Sequence, residues 1–222
     1  MGASMHDAAV LWTGGKDSAL ALDEAARSGW RIRCLATFAP PEPEFLSHPI
    51  AVMQRQAKAL GLSHHILTVD APFEQGYETE LRRLRDAMHV ECVVTGDIAE
   101  VSGCPSWVRE RAFAVGMDVH TPLWGRDRTA LLQQLLDRGF DAVISCVDTR
   151  KLDAAWVGRK LDAVAIAELG VLHQRTGIDA CGENGEYHTL TLDGPGFAQR
   201  IDIGAFSIRT FGDLAHLQFH DT

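Results

Sequence analysis

The run Thr13-Gly14-Gly15-Lys16-Asp17-Ser18 brings together the groups from which a phosphate-binding turn is made. Paired glycines permit positive φ and close approach of a ligand to the backbone. The N–H groups that open a following helix attract anions. Lys16 adds a point charge, Ser18 a hydroxyl donor, and Asp17 a carboxylate suited to holding magnesium. A Gly-Gly pair alone would mark no more than a turn; the lysine, acid and hydroxyl behind it make a phosphate cradle. It is not a Walker loop, because Val10 stands where that motif needs a glycine, five residues before Gly15. The third glycine of the dinucleotide fingerprint is also absent.

A second stretch, Ile178-Asp179-Ala180-Cys181-Gly182-Glu183-Asn184-Gly185-Glu186-Tyr187-His188-Thr189, packs acids, an amide, an imidazole and a hydroxyl around two glycines. Such polar density in a loop that leads into a strand is the texture of an active-site edge rather than of a plain turn. Glu183 and Glu186 could bind magnesium, orient ammonia or act as a base, and His188 could hydrogen-bond a carboxylate or phosphate. The residue types leave these roles open. A surface turn with solvated acids is the alternative.

The first run resembles the pyrophosphate loop (PP-loop) of ATP pyrophosphatases, usually Ser-Gly-Gly-x-Asp-Ser, with Thr13 in place of the first serine. Taken with Val94-Thr95-Gly96-Asp97-Ile98, Pro122-Leu123-Trp124 and Gly182 to Thr189, the chain resembles the diphthine–ammonia ligase family over about residues 8 to 197. The resemblance implies an N-terminal PP-loop domain of the adenine nucleotide α-hydrolase-like (HUP) type and a smaller C-terminal substrate domain. It also implies a reaction: ATP activates a carboxylate as an acyl-adenylate, pyrophosphate leaves, and ammonia displaces AMP to give an amide. Catalytic work then falls to Lys16, Asp17, Glu183 and Glu186. ATP would be held by Thr13, Gly14, Gly15, Lys16, Asp17, Ser18, Phe38 and Gly96, with Asp17 taking Mg2+. Phe38 is as readily a core residue. Asp97, Asn184, His188 and Thr189 would face the substrate.

Eukaryotic and archaeal members act on diphthine of elongation factor 2 and usually carry Glu-Gly-Gly-Glu-(Tyr/Phe)-Glu-Thr at the second motif. Here it is Glu183-Asn184-Gly185-Glu186-Tyr187-His188-Thr189, which resembles a sister branch linked to cobalamin metabolism. A histidine in place of an acid changes the charge where an acceptor is recognised, so the acceptor stays open.

These residues need a scaffold. The apolar run Ala8 to Trp12 predicts a buried parallel strand, and Ala19 to Ser28, closed by Gly29, a helix. Strands are expected at Arg31–Phe38, His64–Val69, Glu91–Thr95, Val119–Leu123 and Ala142–Val147. Helices are expected at Pro49–Leu60, Phe73–Met88, Ser106–Val115 and Arg126–Arg138. Strands alternating with helices predict a parallel sheet with right-handed crossovers. Beyond Asp148 comes a helical region, Asp153–Arg175, with breaks near Gly158 and Gly170. A β-rich tail follows at His188–Leu192, Arg200–Arg209 and His216–His220. The fold class expected is α/β, with a PP-loop ATP-binding domain over residues 1–130 and an α+β substrate domain over 131–222.

Composition narrows the partners. Hydrophobic residues make up 46% of 222, enough to bury a sizeable core, while no apolar run nears the ~20 residues of a membrane span. Met1 to Val10 has no cleavable signal pattern. A net charge of −9 disfavours broad nucleic-acid binding, which needs clustered cations. Five dispersed cysteines without a CxxC suggest neither a zinc site nor a disulfide framework, hence a reducing cytoplasm. Expected partners are ATP, ammonia and a carboxylate substrate, small or protein-borne, without membrane, and with a homodimer allowed for. Two rival readings are a PP-loop enzyme acting on a tRNA base and a non-catalytic ATP-binding regulatory module. His48, His64, His65, His120 and His173 read as structural or solvated.

Overall fold

The computed structural model describes residues 6–100 and 107–220, so Cys104 and Ser106, the expected first residue of the 106–115 helix, lie outside the described residues. The chain falls into two compact units, residues 1–13, 17–43 and 61–124 in one, and 14–16, 44–60 and 125–222 in the other.

In the first unit β1 (Asp7–Leu11), β2 (Arg31–Ala39), β3 (Ser63–Thr68), β4 (Cys92–Val94) and β5 (Asp118–His120) form a parallel sheet in the order β3-β2-β1-β4-β5. Parallel strands covered on both faces read as unbroken apolar runs, which is why Ala8, Ala9 and Val10, and Cys92, Val93 and Val94, are all buried. Of the helices, α1 (Lys16–Arg27) follows β1, α2 (Ile50–Leu60) belongs to the second unit, and α3 (Phe73–Met88) and α4 (Trp107–Ala114) pack on the sheet. Leu81 and Leu84 of α3 and Ala112 of α4 close over Ala9, Ala36, Leu67 and Val93. Each fully buried leucine there contributes about 1.5–3 kcal/mol. Strand order reverses at β1, with β2 on one side and β4 on the other. The carboxyl ends of β1 and β4 therefore flank the crevice in which such sheets take ligands.

Two local differences from the sequence reading matter. Helix α1 begins at Lys16 rather than Ala19, so Lys16, Asp17 and Ser18 stand in its first turn, where N–H groups lack intrahelical partners. Strand β5 stops at His120, and Thr121 to Trp124 form a turn because Pro122 has no ladder donor.

The second unit is built on an antiparallel sheet of β6 (Asp141–Asp148), β7 (Tyr187–Asp193), β8 (Phe206–Phe211) and β9 (Leu214–Phe219), in the order β7-β6-β9-β8. Helices α5 (Arg128–Asp137) and α6 (Ala163–Thr176) are capped by Asp127 and Asp162, whose carboxylates accept from Ala130 N and Ala165 N. The 142–147 strand, expected in the parallel sheet, is β6 of this one. It is central and buried on both faces, so its apolar run is indistinguishable by pattern from a parallel strand. The 153–175 region breaks after a single 3-10 turn (Ala154–Trp156) near Gly158, yet runs unbroken through Gly170. In the tail, residues 200–205 are not strand, and β8 begins only at Phe206. Among the described residues no helix is long and apolar enough to cross a membrane.

Candidate active site

Within the first unit, the chain leaving β1 and the chain leaving β4 meet. The Thr13 hydroxyl donates to Ser18 Oγ at 3.3 Å, and Ser18 is buried. Gly96, just past β4, lies so close to α1 that a Cβ there would stand 2.6 Å from the Asp17 carbonyl carbon and 2.8 Å from Ser18 N. The glycine of Thr95-Gly96-Asp97 is thus required by backbone contact. Asp17 and Asp97 are half-buried, and the Asp97 N–H points to Thr95 Oγ1 at 3.4 Å. Phe38, half-buried, stacks on Tyr77 with ring centroids 4.3 Å apart. Gly96→Ala is expected to cost about 1–3 kcal/mol, the range of overpacking, and toward its upper end because the clash is with backbone that cannot move aside. Urea unfolding of the variant checks it.

Within the second unit, residues 14–16 lie along the outer edge of β7. Gly14, at φ +76°, presents its carbonyl to Thr191 N (2.8 Å) and to Gln56 Nε2 (2.9 Å). The same Gln56 amide donates to Thr191 O at 2.7 Å, and Gln56 is fully buried. A Cβ on Gly14 would come within 2.4 Å of Gln56 Oε1. Lys16 is held at both ends: its N–H donates to Thr189 Oγ1 at 2.9 Å, and its ammonium to Cys181 O at 2.6 Å, over the Tyr187 ring. With Lys16 only 3% exposed, the two motifs, some 170 residues apart in sequence, share one buried cation.

The second motif is shaped from inside. Glu186 is buried, and its two oxygens accept from Asp179 N at 2.9 Å and Asn184 N at 3.0 Å. Tyr187 OH donates to Ala180 O at 2.7 Å, while Lys151 Nζ reaches Asn184 O at 2.5 Å. Glu183 and His188 remain half-buried and Asn184 exposed.

Sequence reasoning did not find Gln56, and it read His48 as structural or solvated without placing it beside the second motif. Gln56 sits on α2 with no motif around it. His48 packs edge-on against His188, centroids 5.2 Å apart, and hydrogen-bonds the Thr189 backbone. Burial, then the neighbouring His188 and Lys16, push the His48 pKa down to about 3. The unfolded chain takes up this proton as pH falls through 6.5, whereas the folded chain resists until about 3. Stability held above pH 6.5 is therefore lost progressively on acidification. His64 and His120, also held low by burial, act in the same direction. Melting temperature should fall from pH 7.5 to 5 and do so less steeply in His48→Gln; an equal slope would contradict the assignment.

Residues 6–117 match the family model described as the diphthamide synthase N-terminal domain, and residues 127–219 that of its C-terminal domain. The chain is 28% identical over 223 residues to a Danio rerio protein named diphthine–ammonia ligase, with 88% of this chain and 85% of that one covered. Proteins of the same name from Bos taurus and Homo sapiens are 27% and 26% identical, each with 95% of this chain and 90% of its own length covered.

Proposed function

Because the chain belongs to the diphthamide synthase family, we propose that it is an ATP-dependent ligase that adenylates a substrate carboxylate and converts it to an amide with ammonia. The observation that carries this reading is the double anchoring of Lys16 on Thr189 and Cys181, which ties the phosphate-binding turn to the glycine-rich acceptor motif.

The first-turn N–H groups of α1, with Gly14, Gly15, Lys16 and Ser18, would take the phosphates, and Thr13 supports Ser18 from behind. Gly96, just past β4, would lie toward the nucleotide, while Phe38 packs on the core beneath α3 and against Tyr77, so that only its exposed part could reach an adenine. Among the described residues no group of three or more His, Cys, Asp or Glu is placed to hold a metal. Mg2+ in nucleotide sites is commonly held by one or two carboxylates and substrate phosphates, and Asp17 is the carboxylate we assign to it. Bound there, the ion would neutralise charge on the departing pyrophosphate. In-line attack by the acceptor carboxylate on the α-phosphorus then needs positioning and charge stabilisation rather than a nucleophile from the protein.

On the acceptor side, Glu183 is the carboxylate we assign to orienting ammonia, with Asn184, His188 and Asp97 toward the substrate. Glu186, with both oxygens on backbone amides, and Thr189, with its hydroxyl on Lys16 N, set the shape of the motif and act through it. The test is ATP–pyrophosphate exchange with magnesium over a panel of carboxylates, followed by addition of 15N-ammonium. Exchange with one acceptor, then a 15N-amide and AMP in equal amounts, is the expected result. Release of ADP and phosphate instead would overturn the reading.

A further inference from the structure

In the antiparallel sheet, strand register sets His188 of β7 opposite Cys146 of β6, and Cys146 opposite His216 of β9. Directly paired residues share a face, so one row runs from the acceptor motif across three strands to His216. At ~4.8 Å between strands, the two histidine backbones stand about 10 Å apart. The segment 44–49 runs over this face: Ser47 hydrogen-bonds the Cys146 thiol and His48 packs on His188. Further along, strand register puts Arg209 and Phe211 of β8 on the same face as His216, and with Phe45, Leu46 and Pro49 they line a groove of about 590 Å3. That lies within the roughly 300–1,000 Å3 of small-molecule sites.

The polar side of the groove is basic. Arg209 and His216 line it, and among the described residues no carboxylate does. Arg209 is exposed and holds no ion pair among the described residues. In a chain of net charge −9, a guanidinium set among aromatic and aliphatic side chains complements an apolar body that carries an anion.

We propose that this groove receives the body of the acceptor, an acid with an apolar framework and a second anionic group, besides the carboxylate that reacts, bound by Arg209 and His216. The proposal rests on the ligase reading above and names the substrate class of that reaction. The reacting carboxylate would be presented past His188, while the remote anion fixes the register of the framework.

The test uses the full chain without ATP and reads 1H–15N spectra during titration with phenylsuccinate, an apolar body bearing two carboxylates. Succinate, which lacks the body, and phenylsuccinamide, which lacks the charge, are the comparators. Shifts at residues 45–49 and 209–219, with a Kd at least tenfold below either comparator, are expected. Arg209→Gln should weaken binding about tenfold, and Arg175→Gln, at an exposed position on α6, should leave it unchanged. Shifts elsewhere, equal binding of the diamide, or indifference to Arg209→Gln would overturn the proposal. So would concentration-dependent shifts at 206–219 without probe, which would make β8 a contact between copies. Groove binding without any pyrophosphate exchange would count against the ligase reading alone; exchange with a silent groove would count against the groove alone.

Discussion

Lys16→Ala is expected to lower pyrophosphate release by at least 10²–10³-fold, about the loss seen when a single preorganised group facing developing charge is removed. The ammonium is buried between Cys181 O and the Tyr187 ring, where a cation acts in a less screened environment than at a surface. The triphosphate gathers negative charge on the leaving pyrophosphate, and Lys16 is the cation nearest the turn that would bind it. Truncation also leaves the Cys181 carbonyl without this donor, at about 1–3 kcal/mol. A folded variant with slightly lowered stability and a collapsed rate is therefore the outcome, read from pyrophosphate release beside circular dichroism and urea unfolding. Lys16→Arg should rescue little, because a bulkier guanidinium must fit a buried place where a compact ammonium sits against Cys181 O. Unchanged turnover in Lys16→Ala would remove the turn from the mechanism.

The second large effect is at Gly14. An alanine there must adopt φ +76°, at a cost of about 1–2 kcal/mol for an L-residue, and its Cβ would strike Gln56 Oε1. The end of a glutamine is normally free to swing away. Here it is fully buried and bridges the Gly14 and Thr191 carbonyls, so displacement leaves Thr191 O short of its donor, at about another 1–3 kcal/mol. Gly14→Ala should lose roughly 2–5 kcal/mol in all, summing those two costs, with activity falling as the cradle shifts. Gln56→Ala removes the obstacle as well as the bridge, so the double variant should be more stable than additivity predicts. A double-mutant cycle in urea measures the coupling; strict additivity would show that Gln56 is not what constrains Gly14.

Much of the site can be read from the chain. The cradle is written contiguously, and its lysine, acid and hydroxyl have meaning only after a strand and before a helix. The second motif stands out by polar density around glycines. The parallel order of the first sheet follows from alternating strands and helices, though the same rule misassigned the 142–147 strand. Burial on both faces looks alike whether neighbours run parallel or antiparallel, and only pairing decides. The residues that sequence reasoning passed over are those whose roles arise through tertiary contact. Gln56 is one buried polar residue on an ordinary amphipathic helix, and its partners lie 42 and 135 positions away. His48 acquires its low pKa from burial first, and then from His188, more than 100 residues on, and the buried Lys16. Gly96 reads as a turn residue and proves to be a contact residue against α1.

The central claim, that a carboxylate of the substrate is adenylated, is tested most directly with an acceptor whose carboxylate carries 18O, together with ATP, magnesium and ammonium. Mass spectrometry of the released nucleotide should find AMP bearing one 18O atom, because the carboxylate oxygen that attacks the α-phosphorus stays with AMP when ammonia displaces it. Unlabelled AMP, or label recovered in inorganic phosphate, would contradict the account.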